Sequence, residues 1–184
     1  METENLLTKV TKELENLKIP YLVTGGIAVA VWGRVRSTLD IDIVIEIEEN
    51  KISPLIKALR KISPAGYADE EMAKDALRKE MEFNFVDPET GLKVDFWIRK
   101  NNKFSEKEFI RKVPRKVNGQ EIYFISPEDL VLRKLQWYKM SEISKHLEDA
   151  ESVLKTSNPD LDYIKNWAEK QSTIKILNKL IKNL

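Results

Sequence analysis

Two aspartates one residue apart, Asp40 and Asp42, head the run DIDIVIEI (40–47), whose Ile and Val otherwise describe a buried strand. In a strand, residues i and i+2 project from one face, so both carboxylates converge while Ile41 and Ile43 take the other side. Carboxylates that close repel unless a cation lies between them or one is protonated. Oxygen donors in such a pair suit Mg²⁺ or Mn²⁺, which take few protein carboxylates and keep room for water and phosphate. A third acid, Asp95, lies between Val94 and Phe96 in a second strand-like run, GLKVDFWI (91–98). If the two strands are neighbours, three carboxylates share one edge of a sheet, a donor set suited to in-line phosphoryl transfer. Gly25-Gly26 directly follows YLVT (21–24) and opens an apolar helical stretch, where backbone N–H groups can approach phosphate oxygens.

Each feature alone has a plainer reading. Most D-x-D triplets are surface or capping residues, most Gly-Gly pairs are turns, and Asp95 alone fits an exposed position on an edge strand. Their weight comes from occurring together, in this order, each at a strand end.

The elements that must hold these residues are legible in outline. Leu6, Leu7, Val10, Leu14 and Leu17 form a helical stripe over 2–17, and YLVT is a short buried strand. IAVAVWG (27–33) is a turn or two of helix ended by Gly33, and SPLIKALRKI (53–62) begins with Ser53 at the N-cap and Pro54 at N1. EFNFVD (82–87) and residues 91–98 read as two strands joined by PETG. SEKEFIRK (105–112) reads as a short helix with a capping box from Ser105 to Glu108, and QEIYFI (120–125) as a strand. From SPEDLVLRKLQWYK (126–139) onward the signal is helical, three or four helices with a break at TSNPD (156–160).

Composition narrows the chemistry further. The 184 residues suit one domain or a domain with a helical appendage, and a hydrophobic fraction of 42% suffices for a core. Thirty-one basic against 30 acidic residues leaves a net charge of +1, so any anion site comes from local clustering. The chain has no cysteine and one histidine, His146, which excludes thiolate chemistry, disulfides and a multi-histidine metal cage. METENLLTKV starts acidic and amphipathic, and no long apolar run follows, so the expectation is a soluble, cytoplasmic protein with no membrane contact.

TGGIAVAVWGRVRSTLDIDIVI followed by KVDFW resembles the nucleotidyltransferase superfamily with a DNA-polymerase-β-type palm. That pattern is a strand, a Gly-Gly or Gly-Ser turn, a short helix, D-x-D on a strand and a later single acid. Thirteen residues, Ile27 to Leu39, separate the Gly pair from Asp40. This longer gap, and G-x-x-R-x-T-x-D-x-D as Gly33, Arg36, Thr38, Asp40 and Asp42, resemble the branch of AbiEii-type toxins and related proteins. ISPEDLVLRKLQWYK, HLEDAESVL and LDYIKNWAEK are similar to the helical half of that branch, so the likeness spans roughly 20–170.

The resemblance implies an α+β fold: a mixed β-sheet with flanking helices in a catalytic domain over 1–125, and a C-terminal helical region, 126–184, packed on it. It implies a nucleotidyltransferase that uses Mg²⁺ (or Mn²⁺) to transfer NMP from an NTP to a hydroxyl acceptor. Asp40 and Asp42 would bind the metal ions, and Asp95 would bind one and help deprotonate the acceptor. Gly25 and Gly26 would hold the nucleotide phosphates through backbone amides, with Arg36 and Thr38 at the triphosphate. Lys134 and Lys139 are candidate triphosphate clamps, although lysines on an amphipathic helix are ordinarily just solvated. His146 and Asp149 match the branch pattern and read as structural or supporting residues, and Trp137, Tyr138 and Trp167 as core. Arg99, Lys100, Lys103, Lys107, Arg111, Lys112, Arg115 and Lys116 concentrate positive charge that can follow RNA phosphates. The leading expectation is therefore a toxin-like enzyme with an RNA acceptor and a cognate antitoxin protein. The alternatives are an antibiotic-type transferase with a small-molecule acceptor and a catalytically silent nucleotide- or partner-binding module.

Overall fold

A computed structural model describes residues 2–182. In chain order the elements are α1 (Glu2–Asn16), β1 (Tyr21–Thr24), α2 (Gly25–Trp32), β2 (Asp40–Ile45), α3 (Ile52–Ile62), α4 (Glu70–Lys79), β3 (Glu82–Asp87) and β4 (Leu92–Ile98). They continue as α5 (Lys103–Arg111), β5 (Val113–Val117), β6 (Gln120–Phe124), α6 (Pro127–Ser141), α7 (Ser144–Ser157), α8 (Leu161–Lys170) and α9 (Ile174–Lys182). The six strands form one mixed sheet in the order β3-β4-β2-β1-β6-β5. Neighbours pair antiparallel except β2 with β4 and β1 with β6, which are parallel.

The chain forms two units, Met1–Ile27 with Ser37–Phe124, and Ala28–Arg36 with Ile125–Leu184. The first contains the whole sheet. Its apolar face is set by strand alternation: Ile41, Ile43 and Ile45 of β2 and Val94 and Phe96 of β4 are fully buried, and Phe96 stacks on Phe83. Each such side chain contributes about 1.5–3 kcal/mol on burial. Helix α1 packs on α3 and β6, α3 on α4, and α4 on β3. The second unit is helical, with α6 packed against both α7 and α8, and α9 against α7 and α8. Leu130, Leu135, Val153, Ile164 and Leu177 are among its fully buried side chains, and the Trp32 indole N–H donates to the Ile125 carbonyl.

Several local expectations shift. Helix α3 starts at Ile52, after a 3₁₀ turn at Glu49–Lys51, so Ser53 lies inside its first turn and caps nothing. Helix α5 starts at Lys103, and its cap is Asn102, whose side chain accepts from the Phe104 and Ser105 amides. Ser105 and Glu108 are buried within that helix, so the expected capping box is absent. The helical half also breaks where Glu142 adopts a left-handed conformation between α6 and α7, giving four helices. Helix α4 went unread because its buried residues are only Ala73 and Ala76, too small a stripe to register as a period. No described helix is long and apolar enough to cross a membrane.

Candidate active site

Register brings the acids together. In the parallel β2/β4 ladder Asp42 lies opposite Asp95, and Asp40 lies opposite Lys93. Antiparallel pairing sets Thr24 of β1 opposite Asp42, and Asn84 of β3 opposite Asp95. Paired residues share a face of the sheet, so Thr24, Asp42, Asp95 and Asn84 form one polar row across four strands. It lies on the face away from Ile41, Ile43 and Ile45. Asp40 is exposed at the strand's start, whereas Asp95 is largely buried.

The site's local cation is Lys93, two residues before Asp95 on β4. Its Nζ lies 2.8 Å from Asp95 Oδ2 and 3.7 Å from Asp40 Oδ1. The hydrogen bond to Asp95 raises the ammonium above the usual lysine range against the opposing effect of burial, with help from the charges of Asp95, Asp40 and Asp42. The Trp97 indole N–H donates to Asp42 Oδ1 at 3.3 Å. With Asp95 paired to Lys93 and Asp42 to Trp97, no three acid side chains among the described residues stand close enough to enclose a metal ion. Lys93 and Trp97 were findable: both share the i, i+2 face of β4 with Asp95.

The glycine turn closes directly on this row. Gly25 has φ +65°, and a Cβ built there would fall 1.8 Å from Asp42 Oδ2. Position 25 therefore requires glycine twice, for the left-handed backbone and for the space. Gly25→Ala is expected to lower the melting temperature, which a thermal melt checks. Gly25 and Gly26 are the first residues of α2, whose leading amides have no intrahelical acceptor. Beside them the Thr24 hydroxyl is buried with no hydrogen-bond partner among the described residues. Replacing it with a methyl group removes an unsatisfied polar atom, so Thr24→Val is expected to melt at or above the temperature of the unaltered protein.

Two observations test whether a divalent cation suits this face. Three carboxyl groups share it, and the lysine ammonium already makes the contacts a cation would make with Asp95 and Asp40. The hard oxygen donors are of the kind Mg²⁺ or Mn²⁺ takes, and the three side chains would have to turn away from Lys93 and Trp97 to enclose one.

Thr38 donates its hydroxyl to the Asp40 carbonyl at 3.1 Å, which fixes the entry into β2. Arg36 belongs to the helical unit, where its guanidinium holds Asp149 through two 3.1 Å hydrogen bonds. Lys134 Nζ lies 2.9 Å from the same carboxylate and 5.0 Å from the Trp137 ring centroid. Lys134 is 3% exposed and Asp149 fully buried, so this lysine is part of an interior ion cluster and not a solvated helix face. Burial pushes the Asp149 carboxyl up, but Lys134 and then Arg36 together outweigh it and hold the group below the usual aspartate value. His146 packs its ring at 5.6 Å from Trp137, and burial first, then Lys134, lowers its proton affinity. Lys139 joins neither group; its ammonium donates to the Gln171 carbonyl just past α8.

The basic stretch 99–116 is partly internal. Arg99 pairs with Glu46 at 2.8 Å and lies over Phe109, while Lys112 sits 4.6 Å over the Tyr123 ring. Burial lowers Lys112's proton affinity. Glu46, Arg99, Phe109 and Lys112, with Pro20 and Asn102, line a cavity of about 720 Å³. Arg115 and Lys116 are exposed on β5, which forms one end of the sheet.

Known proteins give a consistent fold. The antibiotic-resistance factor ANT(2'')-Ia in solution is similar over 100% of this chain and 98% of its own, at 12% identity and TM-score 0.66. Its crystal structure with adenylyl-2''-tobramycin matches 94% of this chain and 98% of its own, at 13% identity and TM-score 0.65. The lincomycin-bound lincosamide adenylyltransferase LnuA matches 81% and 94%, at 16% identity and TM-score 0.54. Among curated proteins none matches the sequence. Residues 1–183 match the family described as nucleotidyltransferases of unknown function (DUF6036). The chain belongs to that nucleotidyltransferase family.

Proposed function

We propose that this protein transfers a nucleotidyl group from an NTP to a hydroxyl acceptor at the face formed by Asp40, Asp42 and Asp95. The observation that carries the reading is the Asp42–Asp95 register on one face, with Gly25 closing on Asp42. A bound Mg²⁺ or Mn²⁺, held by Asp40, Asp42 and Asp95, would supply positive charge to the phosphates. The chain's own groups orient and move protons. Amides at Gly25 and Gly26 donate to phosphate oxygens at the start of α2. Asp95 accepts the proton of the acceptor hydroxyl as that oxygen bonds to the α-phosphorus. The bond from the α-phosphorus to the β-phosphate bridging oxygen breaks, and pyrophosphate leaves. Arg36, Thr38, Lys134 and Lys139 remain candidates for the triphosphate, of which Lys134 and Arg36 would have to share their charge with Asp149.

RNA is our first choice of acceptor, supported by the exposed Arg115 and Lys116 of β5 and by the toxin-like G-x-x-R-x-T-x-D-x-D stretch. A toxin of that AbiEii-like kind acts in the cytoplasm, where NTPs are available, and has an antitoxin protein as partner. The second reading is a small hydroxyl-bearing acceptor, favoured by the shared fold with enzymes bound to adenylyl-tobramycin and lincomycin. Incubation with Mg²⁺ and each α-labelled NTP, in parallel with total cellular RNA and with a panel of small hydroxyl compounds, tests both. Label in RNA supports the first reading. Labelled small hydroxyl compounds without labelled RNA support the second, and no label in any acceptor class overturns the proposed activity.

A further inference from the structure

We propose that Lys93 is a resident counter-cation that a divalent metal ion must displace from Asp95, after which its ammonium binds the nucleotide phosphates. This rests on the transferase reading of the same face. Lys93 contacts two of the three acids, at 2.8 Å to Asp95 and 3.7 Å to Asp40, and its register places it on their side of the sheet. The Lys93 side chain is 38% exposed, so its ammonium can swing off Asp95 without a change in the sheet. A divalent cation and an ammonium cannot both approach the same carboxylate oxygen closely, because like charges a few ångströms apart repel.

Displacement has a consequence for binding order. Moving Lys93 off Asp95 without giving it a new anion is unfavourable, so free metal binds weakly. A triphosphate supplies both further oxygens for the metal and an anion for the released lysine. Metal and nucleotide therefore assist one another, and by linkage the assistance is equal in both directions. The lysine keeps the acids apart from free cations until substrate is present.

Mn²⁺ titration followed by electron spin resonance reads this directly, first with the metal alone and then with a non-hydrolysable ATP analogue. Lys93→Met is expected to bind free Mn²⁺ about tenfold more tightly than the unaltered protein, a modest factor suited to a partly exposed charge. The analogue should strengthen Mn²⁺ binding less in Lys93→Met than in the unaltered protein. Lys93→Arg, which keeps the charge, should bind free Mn²⁺ as weakly as the original. Equal or weaker free Mn²⁺ binding by Lys93→Met overturns the proposal. If both proteins still take up Mn²⁺ with the analogue, only the role of Lys93 falls. If neither binds Mn²⁺ with or without the analogue, the transferase reading falls with it.

Discussion

Asp42→Asn is expected to lower nucleotidyl transfer by about 10²–10³-fold or more while the protein stays folded. The substitution keeps nearly the same volume and leaves the side-chain carbonyl oxygen to accept from the Trp97 indole. What it removes is one of three negative groups sharing a sheet face, the source of any pull on a cation. Loss of a like charge there relieves repulsion, so the melting temperature should be unchanged or higher. Label transfer and a thermal melt on the same sample separate the two quantities. Asp75→Asn, on the solvent side of α4, serves as the control and should transfer label normally. A folded Asp42→Asn protein with full activity would remove the carboxylate face from the mechanism.

The largest stability effect belongs to the helical unit. Asp149→Ala is expected to cost about 3–5 kcal/mol, because Lys134 and Arg36 lose the buried carboxylate they share. For a chain of this size that lowers the melting temperature by about 10 °C or more. Lys134→Met/Asp149→Leu should recover part of the loss, since it removes the buried ammonium together with the carboxylate and leaves the Arg36 guanidinium, 18% exposed, to turn towards water. The pH dependence has a definite sign. Asp149 has a folded-state proton affinity lowered below its unfolded value. Its contribution is therefore fully present above the ordinary aspartate pKa of about 3.9 and is lost as pH falls through the lower folded value. Urea titrations between pH 6 and pH 3 should show a stability decline in the unaltered protein. In Asp149→Ala the part of that decline due to this carboxyl should be missing.

The pairing of Arg36 with Asp149 explains why one stretch of sequence serves two purposes. Residues 33–40 carry both the anchor and the first acid. Arg36 is fastened to α7, and two residues later the Thr38 hydroxyl caps the Asp40 carbonyl. The segment from Gly33 onward is thus tied on the helical side, while β2 is tied by its ladder on the sheet side. Gly33 has its own steric reason: a Cβ there would meet Ser152 Oγ at 2.5 Å.

By itself the sequence determined the chemistry-bearing strands and the faces they present. Asp40 and Asp42 had to share a side because strand side chains repeat every second residue, and Ile41, Ile43 and Ile45 had to be buried opposite them. Gly25-Gly26 marked a close backbone approach by its composition alone, and the helical second half followed from a period of 3.6. Such properties are local, fixed by residues a few positions apart. The cap of α5 was misplaced because Asn102 and Ser105 both offer one, and the start of α3 because that helix runs on from a 3₁₀ turn at Glu49–Lys51 with no side-chain cap to mark it.

Tertiary structure alone decided which acids meet and what already holds them. That β4 lies parallel beside β2, with Asp95 opposite Asp42, depends on a strand pairing across more than fifty residues. The same pairing delivers Trp97 to Asp42 and Lys93 to Asp40, contacts across two strands that no spacing in the sequence announces, whereas Lys93 and Asp95 meet as i, i+2 neighbours within β4. Lys134 showed the converse. On its helix it read as one more amphipathic lysine, and only the packing of α7 against α6 puts a buried carboxylate beside it. A charge's role depends on its surroundings in three dimensions, because desolvation and pairing set its energy and neither is a property of neighbours in the chain.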